Sequence, residues 1–457
     1  MRRFFIETWG CQMNVHDSEK MAGLLGRHGY VPAVDVGQAD LILLNTCSVR
    51  EKAARKVFTR LGMLRSLKRT NPQLLIGVTG CVAQQEGEEI FRRAPHVDLV
   101  MGPRNIAQLG MLLEQARRDG RSISLARDDD PIDFPSGTTA RSTGPRAYVT
   151  VMEGCNKSCT YCIVPYTRGR EVYRPAAEIA AESADLAGRG YREIEFLGQN
   201  VNAYHHGEDD LASLLHMADR IPGILRTRFT TSHPGHLKKR IMDAMRDLPT
   251  VCNHLHLPAQ SGSDQVLKRM QRGYSRARYM QKIEYLKNQI PDMTFATDII
   301  VGFPGETVAD FEASLELLKE VEFQQVYSFG YSPRPGTPAW DTDDDVPREE
   351  KSERLQRLIA LQESIQIRHN QRLVGRVFEV LIDGTSRLDQ AVARGRTACN
   401  RIVHVRGGEL APGGIVHARI IKAHTNSLTA EGIVPVPRLD SDRTPGYKGE
   451  TVSTSRR

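Results

Sequence analysis

Short apolar runs alternate with stretches of helical period over the first 117 residues of the chain. The predicted strands are Phe4–Thr8, Leu41–Asn45 and Leu74–Thr79, and the predicted helices are Asp17–His28, Glu51–Leu67 and a segment around Gln84–Arg93. Asp17 is the candidate N-cap of the first helix. Strands that alternate with helices are typical of a parallel sheet with helices on its faces, so we predict an α/β domain at 1–117.

A second alternating series follows a polar segment. Residues 118–140 are rich in Asp, Gly, Ser, Thr and Pro, which predicts a linker. The next predicted strands are Tyr148–Met152, Glu193–Leu197, Arg228–Ser232, His254–Leu257, Ala296–Val301 and Gln325–Phe329. Strand–helix units repeat between 141 and 371 and end in the polar helix Arg348–Gln371. This pattern favours an open, partial (β/α)6 barrel of the TIM type.

The last part of the chain has a different pattern. Its short β-type runs are Val377–Ile382, Ala391–Ala393, Ile402–Val405, Ile415–Ile421 and Leu428–Ile433. Gly and Pro divide these runs, which predicts a small all-β barrel at 373–437. Residues 438–457 are predicted to be disordered. The predicted fold class is therefore α/β overall, with a parallel-sheet domain, a partial barrel and a small β-barrel in that order.

Composition excludes several classes of protein. With 40% hydrophobic and 26% charged residues, the chain is neither disordered throughout nor a collagen-like fibre, and eight cysteines in 457 residues are too few for a disulfide scaffold. No apolar run reaches the ~18 residues of a membrane span, and the N-terminus turns acidic before an apolar signal core develops. We therefore expect a cytoplasmic protein in a reducing compartment.

Positive charge is concentrated towards the C-terminus. The chain has a formal net charge of +7, and residues 373–457 alone hold 13 basic and 8 acidic residues. A modest excess often serves only solubility. Its concentration in one compact unit favours a polyanionic partner.

Cys155, Cys159 and Cys162 form a closely spaced set directly after a predicted strand. One interpretation is a helix that carries the three thiols on one apolar face. The intervening Gly, Asn, Ser and Thr residues are weak helix formers and favour a loop instead. Such a loop can wrap three thiolates around one iron–sulfur cluster and leave one iron open. An open iron can bind S-adenosylmethionine, whose cleavage by an electron releases a 5′-deoxyadenosyl radical.

Cys11, Cys47 and Cys81 are distant in sequence, but each follows a predicted strand. The carboxyl ends of parallel strands meet at one crevice, so these cysteines can converge. Gly10 and Gly80 would let the backbone approach closely there. The set therefore predicts a second iron–sulfur cluster.

Two other interpretations of the second set stay open. The three residues could be independent buried cysteines, since cysteine favours the interior. They could also hold zinc, which usually requires a fourth protein ligand, although none of His16, His28 and His96 is clearly placed for that role. The remaining Cys252 and Cys399 have no evident partners.

The segment around Cys155 resembles the radical S-adenosylmethionine superfamily. Tyr161 stands at that superfamily's aromatic position beside adenine, and Gln199 and Asn200 resemble its methionine-contacting segment. The segment that contains Asp298 and Gly302 resembles its Gly-rich region near ribose and adenine. For each single residue, ordinary turn packing is the alternative.

Together, the two cysteine sets resemble the methylthiotransferase family over nearly the whole chain. That family joins a three-cysteine N-terminal domain, a radical domain and a small RNA-binding barrel called TRAM. The supporting segments are Glu7–Glu19, Asn45–Lys52, Cys162–Glu171, Leu197–Tyr204 and Tyr331–Thr337. The ribosomal-protein branch of the family usually starts Gly-Cys-Pro-Lys-Asn, whereas this chain has Gly-Cys-Gln-Met-Asn. Trp9 and the segment Thr397–Asn400 depart from the pattern of the tRNA-modifying branch.

The resemblance implies methylthiolation of carbon 2 of adenosine 37 in tRNA that already carries the N6-dimethylallyl group. It implies two [4Fe–4S] clusters, one on each cysteine set, with S-adenosylmethionine at the open iron of the cluster on Cys155, Cys159 and Cys162. We also expect an electron donor of flavodoxin or ferredoxin type. Two origins of the inserted sulfur stay open: sacrifice of the N-terminal cluster, or delivery by an outside sulfur donor. We expect a monomer.

The target base must be accessible in the anticodon loop, where unpaired bases can be splayed out. Arg394, Arg396, Arg401 and Lys422 are the candidates for phosphate contacts, with solvated surface charge as the alternative. Three rival functions stay open: a methylthiotransferase for a ribosomal protein or another modified adenosine, a radical enzyme without sulfur insertion, and an RNA-binding module that holds zinc.

Overall fold

The computed structural model describes residues 1–48, 51–126, 134, 137–141, 144–386, 389–407 and 410–435. The predicted disordered tail at 438–457 lies outside the described residues, as does much of the predicted linker. None of the described helices is both long and apolar enough to cross a bilayer.

The N-terminal domain is a parallel sheet flanked by helices. Its elements are β1 (Arg2–Trp9), α1 (Gln12–Arg27), β2 (Tyr30–Pro32), β3 (Leu41–Thr46), α2 (Glu51–Thr70), β4 (Leu75–Gly80), α3 (Cys81–Glu86), α4 (Glu89–Arg93), β5 (Leu99–Met101), α5 (Leu109–Asp119) and β6 (Ser122–Ser124). All neighbouring strands run parallel in the order β2-β1-β3-β4-β5-β6. Strands β3 and β4 are buried along their whole length, as a central strand with helices on both faces requires.

Three details of this domain differ from the sequence prediction. Helix α1 begins earlier than predicted: Cys11 is its N-cap, and Asp17 is buried inside the helix. The helix predicted around Gln84–Arg93 is divided in two at Gly87, which has a φ of +53°. Ser122–Ser124, within the predicted linker, instead forms the edge strand β6, which is too short to produce a strand pattern.

The central domain is a partial barrel of parallel strands. Its elements are β7 (Arg146–Thr150), β8 (Met152–Glu153), α6 (Val164–Arg168), β9 (Val172–Tyr173), α7 (Ala176–Gly188), β10 (Glu193–Leu197), β11 (His205–His206), β12 (Asp209–Asp210), α8 (Leu211–Asp219), β13 (Arg226–Phe229), α9 (Lys239–Asp247), β14 (His254–His256), α10 (Asp264–Arg269), α11 (Arg276–Gln289), β15 (Thr294–Val301), α12 (Val308–Val321), β16 (Gln325–Gly330) and α13 (Arg348–Gln371). Strands β7-β10-β13 and β14-β15-β16 form two parallel triplets, and a parallel bridge from Thr227 to Val251 connects them. The largest apolar core lies between these strands and the surrounding helices.

The C-terminal domain is a closed five-stranded barrel. Its strands are β17 (Val377–Thr385), β18 (Ala393–Thr397), β19 (Ile402–Arg406), β20 (Ile415–Ala423) and β21 (Leu428–Pro435), in the order β17-β18-β19-β21-β20. The small barrel contacts the amino-terminal ends of the central strands, where the Arg228 guanidinium donates to the carbonyls of Thr397 (2.9 Å) and Ala398 (3.0 Å). The predicted fold class is confirmed.

Candidate active site between two cysteine sets

The first cysteine set lies on an irregular loop between β8 and α6, at the carboxyl end of the central barrel. The Cys155 N–H donates to the Gly169 carbonyl (3.1 Å), and the Cys162 N–H donates to the Cys159 carbonyl (3.0 Å). Gly154 has a φ of +85°, and a Cβ there would collide with the Arg170 carbonyl. The loop therefore requires glycine at this position. The helical interpretation of these cysteines is wrong.

The thiols of this set occupy a partly dry environment. Cys159 is buried, and Cys155 and Cys162 are half-buried. Burial raises the pKa of Cys155 to about 11 and that of Cys162 to about 12. The Arg272 guanidinium donates to the Cys159 sulfur at 3.3 Å. Because only thiolates bind iron, cluster binding here would displace protons, and a guanidinium beside the sulfur favours the thiolate.

The structure brings the second cysteine set together at the carboxyl ends of neighbouring strands. Cys11 follows β1, Cys47 follows β3, and Cys81 is the first residue of α3 after β4. The Cys11 and Cys47 side chains share a hydrogen bond, and the charge of Cys11 acts on Cys81. A Cβ on Gly10 would touch the Cβ of Cys47, so this glycine permits the close approach that the sequence predicts.

The electrostatic environments of these thiols differ. Cys11 is exposed, and its hydrogen bond with Cys47, together with the Arg168 guanidinium, lowers its pKa to about 6. Burial raises the pKa of Cys81. Over the residues that the structure describes, no group of three or more His, Cys, Asp or Glu side chains is placed to hold a single metal ion. An iron–sulfur cluster takes one thiolate on each liganded iron, so its ligands do not converge on one point.

A buried ion network connects the two cysteine sets. Arg168, on α6, lies 2.5 Å from the Asp17 carboxylate and 3.6 Å from that of Glu153. Lys20 lies 3.4 Å from Glu153 and 3.9 Å from Asp17. All four side chains are buried. Burial opposes the charge of Arg168, but Asp17, Cys81 and Glu153 hold its pKa well above the usual value.

Sequence reasoning missed this network. Asp17 was interpreted as a helix cap, whereas its carboxylate pairs with an arginine of the central domain. The available signal was the position of Arg168 and Glu153, two charged residues that flank the first cysteine loop. Their partners come from another domain, and sequence spacing does not show such a contact.

Three of the residues predicted to bind S-adenosylmethionine surround the first cysteine loop. Tyr161 packs edge-on against Phe303, with ring centroids 6.4 Å apart. The Gln199 side-chain carbonyl accepts the Gly154 N–H. The Asn200 amide donates to Glu171 at 2.9 Å.

The other two predicted residues belong to β15 and the turn that follows it. Asp298 lies 3.4 Å from the His256 imidazole. Gly302 has a φ of +69°, and its N–H donates to the Glu306 carboxylate at 2.6 Å. The conformation of the turn therefore accounts for Gly302. The Asp298 side chain lies at the carboxyl end of the barrel.

Several buried polar atoms near the carboxyl ends of the central strands have no hydrogen-bond partner among the described residues. They are Gln199 Nε2, Asn200 Oδ1, Ser232 Oγ, His233 Nε2 and both ring nitrogens of His256. Buried polar groups are normally paired, so this concentration is typical of a ligand site. The donors and acceptors fit a polar, zwitterionic cofactor such as S-adenosylmethionine.

The arginines predicted to bind phosphate are largely engaged within the protein. Arg394 forms an ion pair with Asp383 at 2.9 Å, and Arg396 lies 3.6 Å from the same carboxylate. Arg401 is buried and donates to the Cys399 sulfur at 3.0 Å, so surface exposure of this residue was a wrong expectation. Lys422 is exposed.

Three family models match three successive segments of the chain, one in each domain of the fold. Residues 3–102 match an uncharacterized protein family, UPF0004; residues 149–318 match the Radical SAM superfamily; residues 371–433 match the TRAM domain. Among solved structures, the radical S-adenosylmethionine methyltransferase TsrM from Kitasatospora setae aligns with a TM-score of 0.55 at 13% identity, covering 74% of this chain and 77% of TsrM. This likeness establishes the fold alone.

Relatives similar over their full length identify the family. The tRNA-2-methylthio-N(6)-dimethylallyladenosine synthase of Alkalilimnicola ehrlichii is 48% identical, covering 94% of this chain and 97% of that protein. The synthase of the same name from Chromobacterium violaceum is 46% identical, covering 95% and 99%. The chain belongs to the family of tRNA-2-methylthio-N(6)-dimethylallyladenosine synthases.

Proposed function

We propose that this chain methylthiolates carbon 2 of N6-dimethylallyladenosine at position 37 of tRNA. Each cysteine set holds one [4Fe–4S] cluster, with Cys11, Cys47 and Cys81 in the N-terminal domain and Cys155, Cys159 and Cys162 in the central domain. An electron donor of flavodoxin or ferredoxin type and a sulfur source complete the reaction. The full-length similarity to synthases of this name supports the substrate.

The observation that carries the proposal is the ion network between the two cysteine sets. Arg168 follows the first set in sequence, and it pairs with Asp17 on the helix that Cys11 caps. A radical enzyme without sulfur insertion requires only the first cluster for its radical chemistry. Insertion of sulfur next to a radical site requires both sets near one substrate.

The side chains around the first cysteine set have different roles. An aromatic C–H bond is inert to acid–base chemistry, and S-adenosylmethionine with a cluster supplies the required radical chemistry when both are bound. Arg272 donates a hydrogen bond to the Cys159 sulfur, which holds that ligand in place and favours its thiolate. Gln199 and Asn200 offer unpaired polar atoms to the amino and carboxylate groups of the cofactor.

Iron counting after anaerobic reconstitution tests the two-cluster arrangement. We expect about eight irons per wild-type chain and about four in each triple alanine variant, one lacking Cys11, Cys47 and Cys81 and the other lacking Cys155, Cys159 and Cys162. About four irons in wild type, falling to none in the second variant, would contradict a cluster on the N-terminal set. Zinc in place of iron would favour the RNA-binding module.

Nucleoside mass spectrometry tests the substrate. We expect tRNA that carries N6-dimethylallyladenosine to gain one methylthio group, and unmodified tRNA to gain none. A methylthio group on a ribosomal protein, with tRNA unchanged, would contradict the proposal and support the protein-modifying alternative.

A further inference from the structure

Four cations line one side of the barrel's carboxyl mouth and have no acidic partner. Lys157, Lys238, Lys268 and Arg278, named here the cationic rim, come from loops and helices that follow β8, β13 and β14. Lys238, Lys268 and Arg278 are exposed, and Lys157 is half-exposed. Throughout the described part of the chain, their charged groups form no ion pair or hydrogen bond; Arg278 donates only its backbone N–H, to the Ser275 hydroxyl.

Two members of the cationic rim, Lys268 and Arg278, border a groove. A cavity of about 720 Å³ is lined by Lys268, Tyr274 and Arg278, among others. A smaller cavity of about 110 Å³ adjoins it and shares Tyr274 and Arg278, with Pro234 and Lys282 on its far side. The groove therefore runs from α10 to the segment after β13.

The floor of the groove is joined to the first cysteine set. The Tyr274 hydroxyl donates to the Ala259 carbonyl at 2.7 Å and accepts from Arg272 Nε at 3.2 Å. Arg272 in turn donates to the Cys159 sulfur. The Thr160 N–H, inside the cysteine loop, donates to the Met270 carbonyl at the end of α10. A ligand in the groove would thus lie beside the loop that surrounds the reacting centre.

Cations outnumber acidic groups around the groove, although Asp264 also lines the larger cavity and Glu171 acts on His236. Burial, together with the charges of Arg272, Lys157 and Lys282, lowers the pKa of His233 to about 2. Burial, followed by Lys157, also lowers the pKa of the neighbouring His236. Uncompensated cations around a groove are typical of a surface that binds a polyanion.

We propose that the cationic rim binds the RNA backbone phosphates that flank the modified nucleotide. The inference rests on the proposed function, because the target base of a tRNA must enter the carboxyl mouth and its flanking phosphates must then lie on the rim. Arg394 and Arg396 of the C-terminal barrel are paired internally and are less available for this task. The cations are spread over three segments of the chain. A chain of phosphates fits this spread better than a single acidic patch on a protein partner does.

The test compares two double charge reversals in the full, iron-loaded chain. The rim variant is Lys268→Glu with Arg278→Glu. The matched control is Lys319→Glu with Arg357→Glu, which makes the same change in net charge on the outer helices α12 and α13. Fluorescence anisotropy measures binding of tRNA that carries N6-dimethylallyladenosine over a series of salt concentrations. Iron content and the thermal unfolding midpoint check that both variants fold.

We expect the rim variant to bind tRNA about tenfold more weakly than wild type, with the slope of log K against log salt reduced by about 2. The control should match wild type. Equal weakening in both variants would reveal a net-charge effect and overturn the inference, as would unchanged binding by the rim variant. Normal tRNA binding with lost reduction by a flavodoxin would assign the rim to an acidic protein and also overturn it.

Failure of the proposed function gives a different result. In that case wild type itself would bind N6-dimethylallyladenosine tRNA no better than it binds an unrelated polyanion such as heparin, and it would transfer no methylthio group. If wild type is active and the rim variant binds tRNA as wild type does, only the proposed role of the cationic rim is refuted.

Discussion

Replacing Arg168 by methionine removes one of the two buried cations, Arg168 and Lys20, that pair across the two domains. The Arg168 and Asp17 side chains are 3% and 1% exposed, so water screens their 2.5 Å ion pair very little. Removal of one partner of a buried pair costs up to about 3–5 kcal/mol, and Lys20, which lies 3.9 Å from Asp17, offsets part of that cost here. That loss is a large part of the roughly 5–15 kcal/mol by which a domain is stable. An exposed pair of similar geometry, Arg189 with Asp185, is worth at most about 1 kcal/mol.

Urea unfolding of the iron-free chain measures this cost. Trp9 lies in the N-terminal domain, so its fluorescence reports on that domain once Trp340 is replaced by phenylalanine. Arg168→Met should reduce the unfolding free energy several-fold more than the control Arg189→Met. Adding Asp17→Asn to Arg168→Met should recover part of the loss, because the buried carboxylate that lost its nearest cation is then absent. Equal effects of the two arginine substitutions would refute the assignment of Arg168 as a buried interdomain cation.

Three further outcomes are expected. Gly154→Ala should reduce the iron content from about eight to about four per chain, because φ is +85° and the new Cβ meets the Arg170 carbonyl; unchanged iron would contradict the strained loop. Burial acts to raise the pKa of Asp310, but hydrogen bonds from Ser263 and Thr307 outweigh it and hold the pKa below the usual value. The ionised carboxylate therefore stabilises the fold above the unfolded pKa, and this contribution is lost as pH falls through the folded value. In urea unfolding, Asp310→Asn should cost about 0.3–1 kcal/mol at pH 7, as for a carboxylate in the first turn of a helix, and progressively less towards pH 3. A difference that does not change with pH would contradict the lowered pKa of Asp310. Chelation of iron should lower the thermal unfolding midpoint, because thiolate clusters bind only the folded chain, and an unchanged midpoint would contradict that coupling.

Long apolar runs and strand-end cysteines were predictable from the sequence. Leu41–Thr46 and Leu75–Gly80 are buried on both faces, and such strands produce a continuous apolar signal. The edge strands Tyr30–Pro32 and Ser122–Ser124 have three residues each, too few to show any period. The approach of Cys11 to the other strand-end cysteines follows from the geometry of a parallel sheet, which is why it could be expected without sequence adjacency.

Charged side chains were harder to place, because a charge has the same sequence signature on a surface and in a buried pair. Arg401 was expected on the surface of a basic module, but it lies against Cys399 in the interior. Asp17 was assigned to a helix cap, but its partner is Arg168 in another domain. Pairing of this kind depends on how domains meet, and the local pattern carries no information about it. The cationic rim is likewise visible only once the structure places Lys268 beside Arg278.

Backbone strain and unpaired polar atoms coincide at the carboxyl mouth of the barrel. Thr231 and Gln260 have φ values of 66° and 68°, although neither is glycine, and Thr231 is β-branched. Each such conformation costs about 1–3 kcal/mol and persists only where neighbours hold it. The Thr231 carbonyl accepts the Val201 N–H at 3.1 Å, and the Gln260 N–H donates to the Asp298 carbonyl at 2.8 Å. Thr231 immediately precedes Ser232, whose hydroxyl has no hydrogen-bond partner among the described residues, so the strained backbone positions a polar atom that a bound ligand can satisfy.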